Sequence, residues 1–344
     1  MLNQSIVMAE NIRIRITIVI ALVFALLIMA VIYFCFIGPG GAKEPERFIV
    51  KADTTQEQTI EDLADKKYFK NRTVFKYFLH KEIAPGAYLI SGRMNVYQLA
   101  KTLTSLPYQK WVTIPSAKRK EQVALILERA LDWPKDRTME FIRIAKEGWL
   151  YADTYLINTD YDAQQTYQKL YSTFNENLTA DLQKTLLDKN IRLDTAIRFA
   201  SLIERESGSE EDRRIIAAVL WNRLDKNMRL EIDATVQYAI STEKCRLDNP
   251  SLLHYDLLNT CDFWPKLSAG QTGSVESDYS TYANKGLPIG PICSPSIASI
   301  WAVANPADTK ALYYLHSADK QIHTANTYPE HLKNIRKYLT QKSP

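Results

Sequence analysis

An uninterrupted apolar run from Ile16 to Ile37 carries no charged residue. At about 1.5 Å per residue, a helix of that length spans roughly 30 Å, the thickness of a bilayer's hydrocarbon core. Arg13 and Arg15 precede the run and Pro39-Gly40-Gly41 ends it. The positive-inside rule then predicts a cytoplasmic tail at 1–15 and a single-pass anchor at 16–37 in the cytoplasmic (inner) membrane. Everything after about residue 38 falls outside that membrane, on the periplasmic side. A cleaved signal peptide is the alternative. It fits less well, because the run exceeds the usual apolar region of about 7–15 residues and no small-x-small cleavage site follows.

Residues 38–47 read as a linker, polar from Ala42 onward, whose full extension reaches roughly 35 Å. From 48 to 107 the pattern predicts a small α+β unit. Phe48-Ile49-Val50 and Gly86–Ile90 have strand character, and Thr59–Leu63 and Val74–Leu79 are helical. Val96, Leu99, Leu103 and Leu106 repeat at helical spacing. A second region, 108–342, opens on a strand at Trp111–Ile114. Helices are expected near 120–130, 138–146 and 163–188. The next helix is expected to be N-capped by Asp194 and to end at Ser207-Gly208; another starts at Ser209 with acidic residues in its first turn. A loop-rich stretch at 241–278, irregular backbone at 286–291, a strand at Ala311–His316 and a helix at Glu330–Leu339 complete the chain. The expected fold class is α+β throughout.

The helix 194–206 holds the sharpest chemical signal. At about 100° per residue, Ala196, Ile197, Phe199, Ala200 and Ile203 form one apolar sector. Glu204 falls inside it and Glu206 at its other edge. A carboxylate held against apolar neighbours is poorly solvated when ionised, so its pKa should rise, as a general acid near neutral pH requires. The bland reading is a helix-end glutamate that reaches water or an arginine, and periodicity does not choose between the two.

Composition adds exclusions. A net charge of +4, with no Arg- or Lys-rich stripe, argues against a nucleic-acid partner. Five His without CxxC or HExxH suggest neither a metal site nor a cofactor. Of the four Cys, Cys245 and Cys261 flank one loop and could bridge or remain free thiols. Nineteen Tyr and six Trp offer flat faces for sugars, though aromatics are also ordinary core material.

Several segments, in order, resemble a known family. Phe199–Glu206, Ile216–Leu224, Met228–Tyr238, Tyr279–Tyr282 with Gly286–Ile292, and upstream Gly148–Tyr155 are similar to blocks of the endolytic murein transglycosylases, the MltG or YceG-like family. The resemblance implies a membrane anchor, a LysM-like unit over 48–107 and a catalytic domain over 108–342. It implies lytic cleavage of MurNAc–GlcNAc bonds in peptidoglycan glycan strands to give 1,6-anhydroMurNAc ends, with peptidoglycan synthases as partners. It assigns the single general acid/base to Glu204. Asn222, Asp233, Thr235, Tyr238, Tyr279, Thr281 and Tyr282 become candidates for lining the glycan groove. Glu231, Ser280 and Ile289 depart from the family pattern, as do Ser294-Pro295-Ser296, Ala152 and Ala325. Two other readings compete: a lysozyme-type hydrolase using Glu231 or Asp233 as second carboxylate, and a non-catalytic wall-binding scaffold.

Overall fold

The structure, a computed structural model, describes residues 2–41, 44–248, 253–268 and 270–339, without the side chains of 2–12 and Cys35. Parts of the expected linker (42–43), of the 241–278 loop (249–252 and 269) and of the domain end (340–342) lie outside the described residues. The fold is mixed α+β, as the pattern requires, and the chain forms two compact units. One runs to Trp111 and includes Leu156–Asp160; the other comprises Val112–Tyr155 and everything from Tyr161 onward.

In the first unit, helix α1 (Leu2–Ile32) continues as one π-helical turn, Tyr33–Ile37. Its Arg13–Ile32 portion is long and apolar enough to cross a membrane, and none of it is buried. Gly38 closes the turn by donating its N–H to Tyr33 O. The linker is not a free tether over its described part. A Cβ on Gly40 would lie 2.4 Å from the Tyr68 carbonyl carbon, and Gly41 N–H donates to Gly92 O at 2.9 Å. Ile37 packs on the unit's core.

Strand β1 (Glu46–Val50) pairs antiparallel with β2 (Gly86–Ile90), placing Phe48 opposite Tyr88. Alternation buries Phe48 and Val50 and leaves Ile49 exposed. Between the strands lie α2 (Gln56–Asp65) and α3 (Arg72–Phe78), followed by α4 (Val96–Leu103). Capping boxes at Thr55/Gln58 and Asn95/Gln98 start α2 and α4 and satisfy backbone donors that a helix end leaves orphaned. Strands β3 (Gln109–Ile114) and β4 (Asp153–Asn158) complete the sheet order β1-β2-β3-β4, each passing from one unit into the other.

The second unit is mainly helical. Helices α5 (Lys120–Leu131), α6 (Lys135–Ile144), α7 (Ala163–Asn177) and α8 (Ala180–Asp188) precede the central helix α9 (Leu193–Glu206). The single helix expected over 163–188 is broken at Leu178, and Thr179 caps the second part. The cap of α9 lies two residues earlier than expected: Arg192 occupies the cap position, and Asp194 instead sits in the first turn beside Arg192 and Arg198. After it come α10 (Glu210–Asp225), α11 (Asp233–Lys244), α12 (Tyr255–Asn259) and α13 (Ile297–Ala304), then the hairpin β5 (Tyr313–His316) and β6 (Ile322–Ala325), and α14 (Tyr328–Tyr338). α9 packs against α8, α10, α11 and α13, which is why nearly every one of its apolar side chains is buried. The larger of these, Ile197, Phe199, Leu202 and Ile203, each contribute about 1.5–3 kcal/mol by leaving water. Cys245 and Cys261 form a disulfide, so the bridge reading of that loop holds.

Candidate active site

The last turn of α9 carries Glu204 and Glu206. Two positions apart on a helix, they point about 200° away from each other, so one cleft cannot hold both. Glu204 turns inward and is 7 % exposed. Its Oε2 accepts hydrogen bonds from Ser296 N (3.1 Å), Ser296 Oγ (2.7 Å) and Ser299 Oγ (2.6 Å). Ser296 is the N-cap of α13, so Glu204 is an anion seated at a helix N-terminus. Burial pushes its carboxyl up, but Ser299, Ser296 and Ser116 as donors outweigh burial and hold it below the usual carboxylate range. Arg213 stands 4.0 Å away on the other oxygen. The expectation of a raised pKa at Glu204 is therefore corrected: burial among apolar side chains is overridden by an array of donors.

Of the two acids ending α9, the raised one is Glu206. It is partly exposed and lines an open cleft of about 290 Å³ with Arg223, Leu230, Glu231, Asp233, Tyr282, Tyr313, Tyr314, Tyr328 and His331. Desolvation pushes its carboxyl above the usual range; Tyr314, donating to Oε2 at 3.0 Å, opposes this, while the charge of Asp233 adds to it. His316 and Arg205 pull the other way, more weakly.

The remaining sequence candidates divide. Asp233 opens α11 and accepts the Tyr282 hydroxyl proton at 2.8 Å, and both line the cleft. Thr235 and Thr281 do not line it, being 0 % and 1 % exposed. Their hydroxyls meet at 3.0 Å; Thr281 Oγ1 accepts from Ile232 N, and Thr235 Oγ1 accepts from Thr281 N. This clamp fastens the Tyr282 loop to the start of α11 and so sets the Asp233–Tyr282 pair. Asn222 also acts through backbone, donating to Thr309 O (2.8 Å) and Ala311 O (3.0 Å) just ahead of β5. That contact fixes the strand carrying Tyr313 and Tyr314.

Tyr238 is a core aromatic, 6 % exposed, with the Arg119 guanidinium 3.8 Å above its ring. Tyr279 packs on Tyr238 with ring centroids 4.6 Å apart, away from the Glu206 cleft. A Cβ at Gly290 would come within 2.9 Å of the Tyr279 hydroxyl, which accounts for glycine there. Of the eight residues carried over by resemblance, the cleft thus brings together Asp233 and Tyr282.

Sequence reasoning missed Arg223, Tyr313, Tyr314, Tyr328 and His331. Arg223 lay within a quoted block, and its 8 % exposure is the mark of a committed side chain. The tyrosines had no signal beyond strand character. Among the described residues, no group of three or more His, Cys, Asp or Glu is placed to hold a metal ion.

Comparison with known proteins adds a lineage. Residues 48–337 match the YceG-like family. The chain is 31 % identical over 200 residues to an endolytic murein transglycosylase of Bacillus subtilis (strain 168), covering 57 % of this chain and 49 % of that protein. It is 27 % identical over 201 residues to an endolytic murein transglycosylase of Streptococcus pneumoniae serotype 2, covering 58 % and 33 %. The match thus spans half or less of the length of these curated relatives. A crystal structure of a YceG-like protein from Listeria monocytogenes superposes with a TM-score of 0.53 at 25 % identity, covering 85 % of this chain and 99 % of that one.

Proposed function

Because the chain belongs to the YceG-like family, we propose that it is a membrane-anchored lytic transglycosylase that cuts peptidoglycan glycan strands in the cleft at the end of α9, with Glu206 as its single general acid/base. The observation that carries this reading is a carboxyl with a raised pKa in an open, tyrosine-lined cleft. The assignment of the acid moves from Glu204 to Glu206 on that ground. Glu204 is buried, its Oε2 accepts three hydrogen bonds, and these donors hold its carboxyl below the usual range, which suits a proton donor poorly.

In this mechanism protonated Glu206 donates to the glycosidic oxygen between N-acetylmuramic acid and N-acetylglucosamine. The C1–O bond breaks and the C6 hydroxyl of the muramyl residue attacks C1. Glu206, now a carboxylate, accepts the hydroxyl proton. The result is a 1,6-anhydro end with no water consumed. A proton donor is worth about 10²–10⁴ in rate, and a carboxyl whose pKa is raised supplies it near neutral pH better than one whose pKa is lowered. The Tyr314 hydroxyl stabilises the carboxylate formed midway.

The disulfide Cys245–Cys261 and the Arg13/Arg15 flank of the apolar helix support a catalytic unit outside the cytoplasmic membrane. We extend the proposal to the first unit as a LysM-like glycan-holding module, and to peptidoglycan synthases as neighbours.

One observation favours a second reading. Asp233 and Glu231 share the cleft with Glu206, so a hydrolase could use either as its second carboxylate. Mass spectrometry of sacculus digests separates the two, because hydrolysis leaves ends about one water heavier than anhydro ends. Glu206→Gln is expected to abolish release of anhydro-muropeptides, while Glu204→Gln protein that remains folded keeps measurable activity. Wild-type rates from Glu206→Gln would sink the proposal.

A further inference from the structure

Arg223 reaches the cleft from α10 and is more than nine-tenths buried. Its Nε donates to Leu312 O at 2.7 Å; Nη1 donates to Arg229 O (3.2 Å), Leu230 O (2.9 Å) and Glu231 Oε2 (3.1 Å). The Tyr313 ring lies against the guanidinium at 5.0 Å. Among the described residues Nη2 makes no hydrogen bond, and Arg223 is one of the residues lining the cleft. Nε and Nη1 are thus both engaged, and each fork of the planar guanidinium keeps only its Nη2 donors, held in place for a single charge-assisted contact to an anion.

Glu231 is the acid paired with it, and the pair is unequal. The Glu231 side chain is 48 % exposed, against 10 % for Arg223. Glu231 sits at φ 54°, in the left-handed region, and its N–H is tied to Thr281 O at 3.2 Å. Its carboxylate can therefore swing into water while Arg223 stays where it is.

Neutral sugar hydroxyls do not call for a fixed guanidinium. A muramyl residue also carries carboxylates: the lactyl group where the peptide stem is absent, and the stem's own carboxylates where it is present. Resting on the glycan-cutting reading above, we propose that Nη2 of Arg223 is a subsite reading a carboxylate of the muramyl residue, and that Glu231, paired on Nη1, competes with it for the charge of the guanidinium. Arg223 here is a specificity determinant; it selects which muramyl residue settles beside Glu206.

The test uses the full-length chain in detergent, with Glu206→Gln throughout so that binding is measured without turnover. Two matched pairs of glycan fragments serve as probes in titration calorimetry. One pair has the lactyl carboxylate free or as its amide, without a stem; the other bears stems with carboxylates free or amidated. The free member of at least one pair is expected to bind tighter, with the preference fading as salt rises. Which pair shows the preference identifies the source of the carboxylate. Adding Glu231→Gln should tighten the free member by about fivefold, the worth of a half-exposed ion pair, and leave the amidated member within about twofold. Equal binding within both pairs, or an equal shift of both members by Glu231→Gln, overturns the subsite while leaving the glycan cleft standing. Binding of no fragment at all overturns the cleft reading and the subsite with it.

Discussion

The Tyr314 hydroxyl donates to Glu206 Oε2 at 3.0 Å, joining a hairpin strand to the end of a helix 108 positions earlier. Burial holds Tyr314 protonated well beyond the usual range, so it acts as a fixed donor. Donation to a carboxylate favours its charged form, while desolvation of Glu206 favours the neutral one; desolvation wins. Activity should therefore fall as pH rises through a pKa above the ordinary carboxylate value. Tyr314→Phe removes the opposing donor, so that basic limb should move to higher pH in a pH–rate profile on sacculi. A shift to lower pH would contradict the hydrogen-bond assignment.

Glu204→Gln should destabilise the protein by about 1.5–3 kcal/mol, the worth of hydrogen bonds to a buried charge. The carboxyl is depressed in the folded state, so its contribution is present above the unfolded value and lost as pH falls through the folded one. Denaturant midpoints of wild type and variant should differ most at neutral pH and converge in acid. Midpoints that diverge on acidification would reverse the sign of the argument.

Glu206→Gln should do the opposite. Its raised pKa means that the folded state disfavours the charge, so wild type loses stability as pH climbs from the unfolded to the folded value. The variant is expected to melt higher than wild type at neutral pH and alike below the unfolded value. That result would mark Glu206 as a residue retained for chemistry at a cost in stability.

The Cys245–Cys261 disulfide closes a loop with a sequence separation of 16 and carries Phe263 and Trp264 immediately after it. Trp264 lies over the Arg205 guanidinium at 3.7 Å and donates to Gln122 Oε1. Replacing both cysteines with serine should lower stability by about 3 kcal/mol, read as a thermal midpoint that no longer responds to reductant. An unchanged midpoint would show that the loop is held by its aromatic contacts alone.

Gly148 has φ +83°, and a Cβ there would sit 2.6 Å from Pro291 Cγ. Gly148→Ala combines left-handed strain with overpacking and should cost about 1–3 kcal/mol or more. Thermal denaturation checks this, and a loss below half a kilocalorie would mean that the Pro291 loop yields freely.

The α+β class, the apolar N-terminal helix and the run of helices around 194–225 were legible because each rests on local periodicity or a local cap. Helix α11 and strand β6 were not, since their register depends on partners far along the chain. The same division holds in the site. Spacing placed two carboxylates at the end of one helix, and local sequence could take the reading no further, because an apolar helix sector raises a pKa only if no donor arrives from elsewhere. Donors did arrive at Glu204, from the start of α13 more than ninety positions away, and pulled its carboxyl down. Tyr314, Asp233 and Arg223 gathered instead around Glu206. Chain chemistry determined that α9 would end in acids; tertiary packing decided which of the two is shifted up and which down, because solvation and hydrogen bonding are set by neighbours in space.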